Sequence, residues 1–376
     1  MRIASVDTFV LRAKIDVPVR TSFGTMGDRP AVVLRLRDAD GAEGWGEVWC
    51  NFPGCGAEHR GRLVATVLAP LLIGRKVEDP ALEWRRLTDA TRILALQSGE
   101  AGPFAQAIAG IDIALWDLAA RRAGLPLWRL LDGGTEHDAD GGVPVYASGI
   151  NPEGAERLVG TKLDEGYRAF KLKVGFGEES DQRSLRGLRA LLGSETALMV
   201  DANQGWTVEQ ALAVLPLLRP FDLDWLEEPL AVDAPAADWA RLAEAFPIPL
   251  AAGENLRGEA AFDAAIDGGA LSVVQPDVAK WGGVSGCFAV ARRALTAGRV
   301  YCPHYLGGGI GLAASAHLLA AAGGDGLLEI DANANPLQGG LWPAMPELDD
   351  GRLMLPELPG LGVEPDAQTL QRHRVA

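Results

Sequence analysis

The spacing of hydrophobic and polar residues changes partway along the chain. In the first 125 residues, strand-like runs come first and runs with helical spacing follow. In chain order these runs are residues 3–11, 31–48, 61–74, 80–94 and 104–124. The second run contains a hairpin turn at Asp40 and Gly41, and the last ends at Gly124 before Pro126, as helices commonly do. The pattern predicts an N-terminal α+β domain at residues 1–125.

From about residue 143, short apolar strands alternate with amphipathic helices such as 207–218 and 284–298. The predicted strands are residues 143–149, 169–175, 197–203, 223–229, 248–254, 271–277, 300–304 and 326–331. Repeated strand–helix units predict a parallel sheet, and eight units in about 190 residues predict a closed (β/α)8 barrel, assigned to residues 126–355. The Pro- and Gly-rich residues 356–376 are expected to return to the N-terminal domain.

An open, doubly wound α/β sheet is the alternative arrangement for these units. Such sheets often carry a GxGxxG turn after a strand, a Walker P-loop or a GxSxG nucleophile turn. The sequence contains none of these motifs in that context. The closed barrel is therefore favoured.

Composition and charge restrict the classes of partner. The chain has 376 residues, of which 48% are hydrophobic, and no apolar run reaches the ~18 residues of a membrane span. Charged residues interrupt the N-terminal segment, which predicts a first strand, not a signal peptide, and hence a cytoplasmic protein. The net charge of −15 disfavours nucleic acid and anionic membranes as partners, but not a small anionic substrate. The four cysteines match no zinc-site spacing and are expected to be reduced thiols.

Ionisable residues recur near the carboxyl end of the predicted barrel strands. They lie at intervals of 23 to 30 residues, which is about one strand–helix unit. In chain order they are Lys171 with Lys173, Asp201, Glu227, Glu254, Asp277, His304 and Glu329. A single carboxylate at such a position is most simply a helix N-cap, but the whole set in phase predicts an active site, because barrel active sites lie at this end.

The three carboxylates on neighbouring strands, Asp201, Glu227 and Glu254, would repel one another in a confined site unless a cation joins them. Oxygen ligands suit a hard ion, and Mg²⁺ leaves coordination positions for water and substrate. The sequence therefore predicts a Mg²⁺ site, with zinc less favoured because none of the five histidines lies with these carboxylates.

Candidate bases flank the predicted metal site. Lys171 and Lys173 lie on one side, and proximity to a metal and to each other would lower their pKa values towards those of a general base. His304 lies on the other side, where Asp277 on the preceding strand would fix its tautomer. A metal between two bases suits removal of a proton next to a carboxylate, because the metal stabilises the ene-diolate.

Several motifs together resemble the enolase superfamily, and within it the mandelate racemase subgroup. They are 44-GWGEV-48, 111-IDIALWDLAAR-121, 171-KLK-173, 201-DANQ-204, 226-LEEP-229, 253-GEN-255, 276-PDVAKWGG-283, His304 and 356-PELPGLGV-363. The resemblance covers almost the whole chain. It implies an α/β fold, a (β/α)8 TIM-like barrel with an N-terminal α+β capping domain that carries substrate-specificity loops.

The resemblance also implies a role for each site residue. Asp201, Glu227 and Glu254 would bind Mg²⁺. Lys173 would be the base on one face, with Lys171 tuning it and contacting the substrate carboxylate. His304, oriented by Asp277, would be the acid/base on the other face. Glu329 would hydrogen-bond the substrate carboxylate, and Asn203 would line the pocket. Glu228 and Lys280 are expected to have structural roles.

The substrate and the step after proton abstraction stay open. Dehydration of an acid sugar or hydroxy acid is the leading hypothesis, with a racemase or epimerase and then a lactone cycloisomerase as alternatives. Residues of two N-terminal loops are candidates to contact a small carboxylate substrate; they are Arg20, Phe23, Met26, Arg29, Trp49, Phe52, His59 and Arg60. The resemblance further suggests a homo-oligomer.

Two features of the last strands complete the expectations. The glycine-rich run 304-HYLGGGIG-311 could bind a phosphate or could allow close approach of the backbone, and we favour the second interpretation. Asp331 and Asn333 follow Glu329 on the eighth strand. That segment resembles cycloisomerases and dehydratases of the subgroup at least as well as mandelate racemase.

Overall fold

The computed structural model describes residues 1–21, 24–132, 142–245 and 248–376, and for Arg20 and Thr21 only the backbone. The N-terminal domain contains an antiparallel sheet in the order β1–β2–β3. Its strands are β1 (Ile3–Thr21), β2 (Gly24–Asp38) and β3 (Glu43–Val48). The hairpin between β2 and β3 turns at residues 39–42, as the sequence predicts.

Helices follow this sheet in the chain, and the first, second and fourth of them contact its strands. They are α1 (Gly56–Leu63), α2 (Ala69–Leu72), α3 (Pro80–Ser98), α4 (Ala101–Ala123) and α5 (Leu127–Leu131). A π-helical turn, Val64–Leu68, joins α1 to α2. Strand β3 lies so close to α4 that a Cβ on Gly44 or Gly46 would collide with backbone oxygens of that helix. The glycines of the motif 44-GWGEV-48 are therefore required by packing.

Eight parallel strands form the second domain. Their order in the sheet is β11–β4–β5–β6–β7–β8–β9–β10, and Leu327 N–H donates to Cys302 Sγ (3.3 Å) where the two end strands meet. The strands are β4 (Gly142–Ile150), β5 (Ala169–Lys173), β6 (Ala197–Asp201), β7 (Leu226–Glu227), β8 (Leu250–Ala252), β9 (Val273–Val274), β10 (Val300–Tyr301) and β11 (Leu328–Asp331). The predicted α/β class, a (β/α)8 barrel with an N-terminal capping domain, is confirmed.

Helices follow the strands on the outside of the barrel. They are α6 (Ala155–Asp164), α7 (Glu178–Leu192), α8 (Val208–Leu218), α9 (Ala236–Ala245), α10 (Glu259–Asp267), α11 (Gly283–Thr296), α12 (Gly309–Ala322) and α13 (Pro336–Leu341). A 3-10 turn, Arg219–Phe221, follows α8. Successive side chains along the strands point alternately into two cores. Leu172 packs in the layer between strands and helices. Met199, the register partner of Lys171, packs inside the barrel.

Most barrel strands are shorter than their predicted ranges. The ladder ends early because the backbone turns towards the pocket directly after several strands. Asn203, Gln204 and Glu228 have positive φ angles of 43°, 61° and 39°. Asn203 and Glu228 were predicted to lie inside strands, and Gln204 directly after one. The positive φ angles mark where the extended backbone ends after β6 and β7.

The C-terminal segment contacts both domains. Strands β12 (Leu348–Asp349) and β13 (Arg352–Met354) form a hairpin that pairs with the start of β4. The backbone of Val10 exchanges hydrogen bonds with Val375 and Ala376, just after helix α14 (Ala367–His373). Among the described residues, no helix is both long and apolar enough to cross a bilayer.

Candidate active site

A pocket lies between the carboxyl ends of the barrel strands and the capping domain. Its barrel wall includes Lys173, Asp201, Glu254, His304 and Glu329. The capping domain closes it with Val19, Met26, Arg29, Trp49, Asn51 and Phe52. The barrel end predicted from the phase of the ionisable residues is therefore the end that carries the pocket.

Three buried carboxylates lie at or just after the ends of neighbouring strands, and two of them, Asp201 and Glu254, line the pocket. Asp201 and Glu227 are the last residues of β6 and β7, and Glu254 follows β8. Burial raises the pKa of Asp201, Lys171 and Lys173 oppose that rise, and the nearby Glu254 carboxylate adds to it. Burial also raises the pKa of Glu227 to about 7, with Lys171 opposing and Asp201 contributing. Burial is thus the main cause of both shifts, and the neighbouring carboxylates add to it.

These carboxylates fit Mg²⁺ by their chemistry, since they are buried oxygen donors on neighbouring strands. In the conformation of the described residues, no three such side chains converge on one point. The reason is local pairing. Glu227 contacts Lys171, and Glu254 contacts Lys280 (2.7 Å) and His304 (3.0 Å). Burial would raise the pKa of Glu254, but these two cations hold it well below its usual value.

Lys171 and Lys173 have different surroundings although both project into the barrel. Lys171 Nζ donates to Glu227 and forms an ion pair with Glu329 (2.8 Å), next to the ring of Tyr146. Burial favours a lower pKa for Lys171, but the two carboxylates raise it well above its usual value. The expectation of a lowered pKa is therefore wrong for Lys171, because it is a paired cation.

Lys173 instead lines the open pocket. Its Nζ donates to Asn203 Oδ1 (3.0 Å). The side chain of Asn203 in turn donates to Asp201 Oδ2 (2.7 Å), and the Asn203 backbone N–H donates to Asp201 Oδ1 (2.7 Å). Asn203 thus links the predicted base to a predicted metal ligand, which gives this pocket residue a defined contact.

His304 and Asp277 form a buried pair at the ends of two adjacent strands. His304 Nδ1 lies 2.7 Å from Asp277 Oδ2, and its Nε2 faces the pocket, 3.0 Å from Glu254. Asp277 also accepts hydrogen bonds from the N–H groups of Ala279 and Lys280, which fix its carboxylate. Burial favours a lower pKa for His304, but Glu254 and Glu329 raise it well above its usual value.

Glu329 lies between Lys171 and His304. It accepts a hydrogen bond from Tyr305 N–H (2.9 Å) as well as contacting Lys171. Burial would raise its pKa, but Lys171 and His304 lower it to about 2. Glu329 is therefore a carboxylate in this arrangement and accepts hydrogen bonds. Donation to a substrate oxygen, as the resemblance implies, requires it to take up a proton first.

The candidate specificity residues separate into two groups. Met26, Arg29, Trp49 and Phe52 line the pocket. His59 and Arg60 do not line it, because they pair with Glu100 (2.7 Å) and Gln106 (2.9 Å) inside the capping domain. Phe23 and the side chain of Arg20 lie outside the described residues, so their roles stay predictions.

Sequence reasoning missed several side chains that hold the site. Lys280, expected to have a structural role, lines the pocket, contacts Glu254 and lies over the Trp49 ring at 4.9 Å from its centroid. Gln275 and Trp225 donate to Glu227 Oε2 at 2.6 and 3.2 Å. Gln275 follows two valines and precedes a proline in 273-VVQPD-277. A polar residue in such a buried strand was the signal by which the sequence could have indicated a site residue.

Comparison with known proteins agrees with the fold. The family model "Enolase C-terminal domain-like" matches residues 155–369, and "Mandelate racemase / muconate lactonizing enzyme, N-terminal domain" matches residues 4–132. D-galactarolactone cycloisomerase from Agrobacterium fabrum is 30% identical over 100% of this chain and 99% of its own length. L-talarate/galactarate dehydratase from Salmonella typhimurium is 34% identical over 88% of this chain and 79% of its own length.

Solved structures show the same likeness. A mandelate racemase/muconate lactonizing enzyme from Bordetella bronchiseptica is 56% identical with a TM-score of 0.91, and the match covers 99% of each chain. A Streptomyces coelicolor racemase with bound magnesium is 31% identical with a TM-score of 0.89, covering 99% of this chain and 100% of that one. The chain belongs to the enolase superfamily, and within it to the mandelate racemase/muconate lactonizing enzyme subgroup. It is therefore an enzyme of a superfamily whose members use Mg²⁺.

Proposed function

We propose that this enzyme removes the proton next to the carboxylate of a small acid and, in its main reaction, dehydrates an acid sugar or hydroxy acid. The observation that carries the proposal is the placement of two proton-transfer groups around one pocket. Lys173 lies at the end of β5, and the His304–Asp277 pair lies on the other side of the strand ring. A substrate between them would present opposite faces to the two groups.

Asp201, Glu227 and Glu254 would hold Mg²⁺. When bound, the ion would supply positive charge next to the substrate carboxylate and so favour the ene-diolate form. Lys171, a buried cation beside Glu227 and Glu329, would face the same carboxylate.

Proton movements are assigned to two residues. Lys173 takes the proton from the α-carbon. His304, as the imidazolium held by Asp277, gives its Nε2 proton to the departing β-hydroxyl, which leaves as water. The resulting enol becomes a 2-keto-3-deoxy acid, so that atoms and charge balance. For a racemase, His304 would instead return a proton to the opposite face of the same carbon.

Two alternative reactions use the same first step. A racemase or epimerase is favoured by the two-sided arrangement itself, since both faces of the α-carbon are served. A sugar-lactone cycloisomerase is favoured by the likeness of the chain to D-galactarolactone cycloisomerase over its whole length. We also propose that the enzyme acts in the cytoplasm as a homo-oligomer. Light scattering after size exclusion tests the assembly.

The reaction is tested by incubating the Mg²⁺-loaded enzyme with a library of acid sugars and hydroxy acids in D2O. Semicarbazide detects 2-keto products, and NMR detects deuterium at the α-carbon. We expect keto acid formation with at least one acid sugar and none with the Lys173→Ala control. Deuterium uptake without keto acid would replace dehydration by racemisation. Isomerised lactone without keto acid would indicate a cycloisomerase, and no exchange on any acid would refute proton abstraction.

A further inference from the structure

A buried ion pair between the two domains closes the distal side of the pocket. Arg29, on β2 of the capping domain, donates to Asp331 at the end of β11. Their exposed fractions are 4% and 5%, yet both line the pocket. The Arg29–Asp331 pair is therefore positioned to contact the end of a substrate that lies away from Lys173 and His304.

Asp331 is held in place by its neighbours. Its Oδ1 accepts hydrogen bonds from the backbone N–H and side-chain Nδ2 of Asn333, each at 2.9 Å. The Asn333 side chain also donates to Gly149 O (2.9 Å) on the adjacent strand. A carboxylate with three donors around it has little freedom to turn away from Arg29.

The pair also determines the charge of the distal wall. A second substrate carboxylate would need a cation that is not already compensated, because burying an unpaired charge costs several kcal/mol. Arg29 is compensated by Asp331. Arg12 contacts Asp28 and Glu58 and does not line the pocket. The remaining described pocket cations lie at the reacting end.

Hydroxyl groups have the opposite requirement. Each needs both a donor and an acceptor within reach, and it carries no charge. The Arg29–Asp331 pair with Asn333 presents guanidinium donors beside carboxylate and amide oxygens, since the Asn333 amide N–H groups are already donated to Asp331 and Gly149. This side of the pocket is therefore neutral in sum and rich in hydrogen-bonding groups, which matches a hydroxylated chain end.

We propose that Asp331, by neutralising Arg29, selects monocarboxylic sugar acids with a distal hydroxyl end over dicarboxylic sugar acids. The proposal rests on the proposed function, since it concerns the substrate of the same site. The two curated relatives described above carry the names of a dicarboxylic sugar acid or of its lactone. Similarity alone would therefore suggest a preference for dicarboxylic sugar acids. The Arg29–Asp331 pair of this chain is what favours monocarboxylic ones.

The test uses matched substrate pairs that differ only at the distal carbon, such as galactonate with galactarate and gluconate with glucarate. The Mg²⁺-loaded wild-type enzyme is assayed for α-proton exchange and product with each. We expect kcat/KM to favour the monocarboxylate by at least about tenfold within the pair that reacts. Equal rates, or a preference for the dicarboxylate, would overturn the selection by Asp331 and leave the proposed function intact. No exchange with any sugar acid would overturn both.

The variant Asp331→Asn tests the cause. It keeps the size of the side chain and removes its charge, so that Arg29 becomes an uncompensated cation. We expect the ratio of kcat/KM for dicarboxylate over monocarboxylate to rise at least about tenfold, mainly through a lower KM for the dicarboxylate. Asp325→Asn, on the exposed surface, is the matched control and should leave the ratio unchanged. An unchanged kcat/KM ratio in folded Asp331→Asn would refute the role of Asp331 in selecting the substrate. If that variant does not fold, the kcat/KM ratios of the wild-type enzyme decide the proposal.

Discussion

Glu47 of the capping domain accepts a hydrogen bond from the backbone N–H of Gly308, at 2.6 Å, where barrel helix α12 begins. It accepts a second from Gly311 N–H (3.0 Å). A Cβ on Gly308 would lie 2.6 Å from Glu47 Oε1, so this position needs glycine. The glycine-rich run after His304 is therefore where a carboxylate of the other domain docks onto a helix N-terminus, in agreement with the favoured interpretation.

This contact predicts that Glu47→Gln lowers both stability and activity. A glutamine amide can replace only one acceptor and turns an NH2 group towards an N–H, which costs about 1–3 kcal/mol for the unsatisfied group. Because the run begins at His304, we expect kcat to fall as well. Urea unfolding and steady-state kinetics measure the two effects. Glu43→Gln on the same strand, where Glu43 pairs with Arg37 in a partly exposed position, is the control. Equal behaviour of both variants would contradict a specific role for Glu47.

Substitution of the two proton-transfer groups should separate catalysis from metal binding. Lys173→Ala and His304→Asn remove a general acid or base, which contributes roughly 10²–10⁴-fold to rate, and neither removes a proposed Mg²⁺ ligand. We expect turnover to fall by that factor or more while calorimetry still detects Mg²⁺ binding. Near-normal turnover of either variant on the substrate found would show that the two-sided assignment is wrong.

Removal of the metal should abolish activity and lower thermal stability. Asp201, Glu227 and Glu254 are buried carboxylates on neighbouring strands, and a divalent cation bound by them would stabilise the folded state by about 2.7 kcal/mol at 100 times its Kd. We expect EDTA to stop turnover, Mg²⁺ to restore it, and Tm to rise with Mg²⁺ concentration. Asp201→Asn should weaken the rise in Tm, whereas the exposed Asp325→Asn should not. A Tm independent of Mg²⁺ would count against the site.

His317 should make the fold sensitive to acid. Trp128 N–H donates to its Nδ1 and its Nε2 faces Leu361 O, and burial lowers the pKa of His317 from 6.5 to about 4. Because the folded state resists protonation more than the unfolded chain does, the stability from this group is present above pH 6.5 and is lost as the pH falls to about 4. The loss amounts to up to about 3 kcal/mol at 1.36 kcal/mol per pKa unit.

The measurement compares the free energy of unfolding in urea at pH values between 4 and 7 for the wild type and His317→Gln. Glutamine can accept from one neighbour and donate to the other without titrating. We expect the difference between the two proteins to change with pH in this window, with the wild type losing more stability on acidification. A constant difference would mean that His317 does not titrate as described.

Periodicity was sufficient to predict the barrel because the alternation of apolar and polar residues is local. All eight barrel strands lie within their predicted ranges, apart from β4, which extends one residue beyond each end. The phase of the strand-end residues predicted which end carries the pocket, since each βα unit brings its strand end to the same edge. The carboxyl ends of the barrel strands other than β4 and β11 were predicted too long, because φ angles after the last ladder residue depend on neighbouring strands.

The hydrophobic pattern of the sequence could not predict which residues far apart in the chain would form pairs. Lys171 was expected to have a lowered pKa. Its pKa is instead determined by the contacts with Glu227 and Glu329, two residues that lie 56 and 158 positions away in the chain. Arg29 was one of several candidate loop cations, and only the structure shows that it meets Asp331 whereas His59 and Arg60 turn away.

The sequence by itself therefore determined the class of fold, the end of the barrel that carries the site and the residue types that gather there. These follow from local periodicity and from the regular length of a strand–helix unit. The tertiary structure alone decided which charges neutralise one another, including Glu47 with the helix end and Arg29 with Asp331. Coulomb energies depend on distance and burial, and both are set only when the capping domain closes over the barrel.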